Sequence, residues 1–143
     1  MTYRYAPPFG LRVLQLVILA EAMTRGLALI LSKEQVLATT DITNAAPMQV
    51  WGVIFISFSL LGFFGEALMS GINSVDSPAG SDSRAWPSFI AHAGLMILYL
   101  TLCLAYGNAV LDGELSLASA PAAMVVIAYI HWLFARRRKS HVA

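Results

Sequence analysis

The sequence predicts an all-α integral membrane protein: a compact bundle of four transmembrane helices in one domain spanning residues 1–143, with both termini cytoplasmic. Three observations point there. Of the 143 residues, 58% are hydrophobic and only 12% charged, about half the charged share of a soluble domain, and the mean hydropathy is +0.70. Four apolar stretches each approach the ~20 residues that a helix needs to cross a ~30 Å hydrocarbon core. The last of them runs directly into four consecutive cations, Arg136, Arg137, Arg138 and Lys139, a pattern that holds a helix end on the cytoplasmic side.

Residues 1–10 form a short polar and aromatic lead ending Pro7-Pro8-Phe9-Gly10. The first span covers about 11–32 and is interrupted by Glu21 and Arg25. That acid and base make a poor leader-cleavage region, and the apolar run resumes at Leu27, so the segment reads as a retained span. A polar loop over 33–47 leads to the second span, about 48–69, rich in Trp51, Phe55, Phe58, Phe63 and Phe64. Residues 70–86 combine Gly, Ser, Pro and Asp without an apolar period and read as turns. The third span, about 87–106, is closed by Gly107-Asn108. A short loop with Asp112 and Glu114 leads to the fourth, about 119–135. Pro8, Pro47, Pro87 and Pro121 stand at the four starts, where the first helical turn has no amide donor to lose.

Four spans place both ends of the chain on one side. Arg4, Arg12, Arg84 and the terminal cations then lie inside, Lys33 alone lies outside, and Arg25 sits within a span. The bias of cations toward the short cytoplasmic segments gives the N-in, C-in orientation. Trp132, one turn before the cations, suits the headgroup interface.

Ionisable groups at lipid depth are costly and are functional suspects by default. Glu21 and Arg25 are spaced i, i+4 with the acid first, the favourable order for an intrahelical ion pair. Gly52, Ser59, Gly62 and Glu66 share one face of the second span; small residues there let helix backbones approach closely. On the third span Ser88, His92, Tyr99, Cys103 and Tyr106 form one polar stripe, and on the fourth Met124, Ala128, His131 and Ala135 share a face. Glu66, His92 and His131 each lie four or five residues from the cytoplasmic end of their spans. At about 1.5 Å per residue they share one depth on three helices. Two imidazoles and a carboxylate suit zinc or iron, paired histidines suit haem, and the same mixture suits a proton relay. No close ligand spacing such as His-Glu-x-x-His occurs, and mutual hydrogen bonding, with Ser88 or interfacial water, is the favoured account of them, so no metal or cofactor is expected.

A net charge of +1 gives no basic face for nucleic acid. The single cysteine, Cys103, leaves no intrachain disulfide or thiolate metal site. No phosphate loop or nucleophile elbow occurs, and the chain is expected to be non-enzymatic.

Trp86-Pro-Ser-Phe-Ile-Ala-His92 and Ala128-Tyr-Ile-His-Trp-Leu-Phe-Ala-Arg-Arg-Arg138, with the size and four-span layout, resemble small membrane proteins encoded beside the lysis genes of actinobacterial tailed phages, some of them holin-like. The resemblance implies a protein of the bacterial inner membrane that associates laterally through faces such as Gly52/Ser59/Gly62 and permeabilises the bilayer. Its partners would then be lipid, further copies or another membrane protein. Two alternatives stay open: a non-catalytic accessory subunit whose polar groups are satisfied in its own bundle, and a proton-, metal- or haem-handling protein built on Glu66, His92 and His131.

Overall fold

The structure, a computed structural model, describes residues 8–32, 45–70 and 85–142. The described residues form four helices: α1 (Pro8–Leu31), α2 (Met48–Ser70), α3 (Trp86–Leu111) and α4 (Ala120–Val142), with a 3-10 turn at Leu115–Leu117 between α3 and α4. Four segments are long and apolar enough to cross a membrane: Phe9–Leu31, Met48–Leu68, Trp86–Leu111 and Leu115–Arg137. Residues 1–7 of the expected lead, most of the expected loops 33–47 and 70–86, and the cations Arg4, Lys33 and Arg84 lie outside the described residues; the rest of the lead, 8–10, is the first turn of α1, which starts at Pro8 rather than near residue 11.

The four prolines sit where a missing amide does no harm. Pro8 opens α1, Pro47 immediately precedes α2, Pro87 occupies the first positions of α3, and Pro121 is second in α4. Helices α3 and α4 run well past their expected C-terminal ends. Helix α3 does not close at Gly107-Asn108 but continues to Leu111. Glycine in a helix interior costs only about 1 kcal/mol, and the buried Ala105 and Ala109 on either side keep the segment packed. The reversal comes instead at Gly113, whose φ of +110° suits a residue without a Cβ. Helix α4 likewise continues through the cations to Val142, since Arg and Lys are good helix formers.

Neighbouring helices pack antiparallel in chain order. Along α1 and α2, Gln15 meets Glu66, Leu19 meets Gly62, and Gly26 meets Gly52. Along α2 and α3, Gly65 lies on Ser88, Phe58 on Gly94, and Phe55 on Tyr99. At the Gly26–Gly52 crossing main chain meets main chain: a Cβ on Gly52 would stand 2.6 Å from the Gly26 carbonyl oxygen. Leu19, Ala22, Phe55, Leu95, Leu98, Tyr99, Leu102, Met124 and Ala128 make the apolar core. Among the described helices, the extended packing of α4 is against α3.

The surface inverts the habit of a soluble protein. Val17, Val53, Phe64, Ile97, Leu104, Val126 and Tyr129 are exposed, whereas Gln15, Ser59, Glu66, Ser88, His92 and His131 are buried.

Candidate functional site: a polar chain inside the bundle

A buried amide or imidazole costs free energy unless it finds a hydrogen-bond partner, so the buried polar side chains are expected to meet. They do, and the connection crosses all four helices. From α1, the Gln15 Nε2 amide donates to Glu66 Oε1 on α2 at 2.6 Å. The same nitrogen lies 2.9 Å from His92 Nε2 and 3.4 Å from Ser88 Oγ, both on α3. Ser88 donates its hydroxyl to Glu66 Oε1 at 2.8 Å. His92 Nδ1 then meets His131 Nδ1 of α4 at 2.8 Å. Gly65 permits this closeness, because a Cβ there would stand 2.6 Å from the Ser88 amide nitrogen.

Aromatic rings fix the two imidazoles. Phe134 stacks on His92 with centroids 5.3 Å apart, and Tyr99 stacks on His131 at 5.4 Å. Tyr99 also connects to a second polar group, because its hydroxyl donates to Glu21. Arg25 binds the same carboxylate through Nε at 3.0 Å and Nη2 at 2.6 Å, and its guanidinium lies 5.6 Å from the Tyr99 ring centre. Arg25 and Glu21 keep 24% and 35% of their side-chain surface exposed.

Donor counting assigns the protons. A glutamine Nε2 can only donate, so His92 Nε2 accepts, and neutral His92 carries its hydrogen on Nδ1. That hydrogen is donated to His131 Nδ1, which leaves the hydrogen of neutral His131 on Nε2. The last atom in the chain, His131 Nε2, is buried and has no hydrogen-bond partner among the described residues.

The structure thus places Glu66, His92 and His131 in one connected cluster, with Gln15 between the carboxylate and the imidazoles. Because Gln15 intervenes, the three do not close on a common point, and among the described residues no group of three or more His, Cys, Asp or Glu side chains is placed to hold a metal ion. Glu21 and Arg25 form the i, i+4 pair, with Tyr99 as a third member. Gly52, Ser59 and Gly62 are turned inward. Gly52 faces Gly26 and Ile30, Gly62 faces Leu19 and Ala91, and Ser59 returns its hydroxyl to the Phe55 carbonyl at 2.8 Å.

Gln15 is the member that a search for ionisable residues misses. It stands four residues into the first span, the same depth as the other three, so extending the depth count to uncharged amides finds it. At the cationic end of α4, Trp132 stacks on Tyr129 and receives Arg136 at 5.3 Å from its ring. No protein family matches this chain, and no match is found among curated proteins or solved structures.

Proposed function

We propose that the chain is a multi-pass protein of the bacterial inner membrane, with both termini cytoplasmic, that permeabilises the bilayer in the manner of a holin. The cation bias supports the orientation, and the resemblance of the Trp86–His92 and Ala128–Arg138 segments to phage lysis-cassette proteins supports the class. The observation that carries the physical reading is an apolar exterior enclosing polar side chains from all four helices. Such a bundle accumulates in lipid without leaking. Separated helices would leave those groups unsatisfied in hydrocarbon, where each costs several kcal/mol. They would regroup around water, which is what a lesion requires. The small face of α2 is taken up by the chain's own α1 and α3, so copies of the closed form meet on other surfaces and the lesion follows opening of the bundle.

That same occupied face favours a second reading, a self-contained accessory subunit of a membrane complex. Controlled expression separates the two. With protein amount measured throughout, a holin-like chain collapses the membrane potential at a defined time and lets an added peptidoglycan hydrolase lyse the cells. Abundant inserted protein with an intact potential and normal growth would leave the accessory reading standing.

A further inference from the structure

We propose that one exposed stripe of α4 is a binding site for an anionic phospholipid, with Val125, Tyr129, Trp132 and Arg136 set in the order of the lipid's own parts, from acyl chain to phosphate. Spacings of four, three and four put these residues on one face of a helix, and all four are exposed. The buried stripe of the same helix, Met124, Ala128, His131 and Ala135, runs one residue behind at each step. That inner stripe meets α3 through His131 and His92, so the outer one faces the surroundings.

The stripe is graded along its length. Arg136 is next to last in the apolar segment Leu115–Arg137, at the level where headgroups lie. Val125 stands eleven residues earlier, about 16 Å deeper along the helix, close to half of a ~30 Å hydrocarbon core. There an acyl chain packs on Val125 and the neighbouring Val126, both exposed. The Arg136 guanidinium lies over the Trp132 ring at 5.3 Å from its centre, and Tyr129 stacks on Trp132 with centroids 5.5 Å apart. Contact with the ring holds the cation in place without using its N–H groups. Among the described residues Arg136 makes no ion pair or hydrogen bond, so its planar fork of donors is open to a phosphate. The Tyr129 hydroxyl makes no hydrogen bond among the described residues either. It lies on the acyl-chain side of Trp132, where the acceptors that a phospholipid offers are its ester carbonyls.

Charge selects the kind of lipid. No carboxylate contacts Arg136 among the described residues, and a zwitterionic headgroup brings its own cation toward the guanidinium, whereas an anionic one does not. The site needs only a bilayer around the chain, and it is compatible with the permeabilising and the accessory readings alike.

The test uses the full chain with Trp51→Phe and Trp86→Phe, which leaves Trp132 as the only tryptophan of three. It is placed in bilayers of phosphatidylcholine and phosphatidylglycerol, with bromine on the acyl chains of one lipid or the other. Bromine quenches a tryptophan that it touches, so the two mixtures give the ratio of the lipids beside Trp132. Phosphatidylglycerol should be enriched about 5-fold over its bulk share, the factor equivalent to about 1 kcal/mol for one cation beside an anionic lipid. Arg136→Gln should bring the ratio to unity. Arg12→Gln removes an exposed cation at the same end of the bundle and should leave the ratio unchanged. Ether-linked phosphatidylglycerol, which lacks the ester carbonyls, should be held less firmly than the ester form, and Tyr129→Phe should erase that difference. Inorganic phosphate should lower the ratio no more than chloride of equal ionic strength. A ratio of unity in the starting chain, equal losses for Arg12→Gln and Arg136→Gln, or stronger displacement by phosphate than by chloride would overturn the proposal. So would an absence of quenching by either lipid, the result expected if another protein chain covers the stripe. If the double tryptophan replacement fails to insert, native mass spectrometry of the unmodified chain from mixed micelles reads the same preference and its loss in Arg136→Gln.

Discussion

Replacing Gly52 by alanine tests whether the α1–α2 crossing depends on backbone contact. The added methyl would lie 2.6 Å from the Gly26 carbonyl oxygen, 2.7 Å from Ile30 Cγ1 and 3.1 Å from the Ile30 amide nitrogen. Ordinary contact begins near 3.4 Å, so α1 must retreat by about 0.8 Å, and two of the three obstacles are main chain that cannot rotate aside. Overpacking of this kind costs about 1–3 kcal/mol, a shift of about 5- to 150-fold in the folding equilibrium constant. Gly107→Ala is the matched control. It makes the same chemical change within a helix, yet nothing lies within 4 Å of its new methyl. Replacing a mid-helix glycine should then stabilise by about 0.5–1 kcal/mol. Reversible unfolding in mixed micelles with rising SDS would read both. Opposite signs are expected; equal shifts in the same direction would refute the close backbone approach.

Three further outcomes are expected, two from the packing and one from the cation bias. Gly65→Ala should cost a comparable amount, because its methyl would meet the Ser88 amide nitrogen at 2.6 Å; it should also disturb the Glu66 carboxylate band in infrared spectra, which Gly52→Ala should leave in place. Tyr99→Phe keeps the stack on His131 but removes the donor to Glu21. A loss of about 1.5–3 kcal/mol is expected for a bond to a charged group, and an unchanged SDS midpoint would show that this bond contributes nothing. A cytoplasm-specific fluorescent reporter fused to Ala143 should light up while a tag at Thr40 reacts with external reagent in intact cells. A dark fusion or a shielded tag would overturn the N-in, C-in orientation.

The helices were legible because apolar length and the placing of four prolines are local properties, and both survive folding unchanged. The misplaced end of α3 came from treating Gly107 as a terminator, although a helix packed on both sides tolerates one glycine. Depth along a helix was also legible, so Glu66, His92 and His131 could be set at one level by counting. Rotation about each helix axis was not, since only the packing decides which way a side chain points. For that reason the link from Tyr99 to Glu21, and the place of Gln15 between carboxylate and imidazole, emerge only in three dimensions. Small residues at Gly52, Ser59 and Gly62 announce close contact without naming the neighbour. A glycine face reads the same whether its companion is another copy or the chain's own first helix.

Helix α4 runs unbroken from Ala120 to Val142, and its extended packing is against α3. From His131 to Val142 is eleven residues, about 16 Å of continuous rod. The cationic tail is therefore the handle of a lever whose working point is the imidazole. A load on Arg136 or Arg137, whether from an anionic surface or a docked protein, would be carried to the His92–His131 contact without a joint to absorb it. Any displacement of α4 from α3 would part the two histidines.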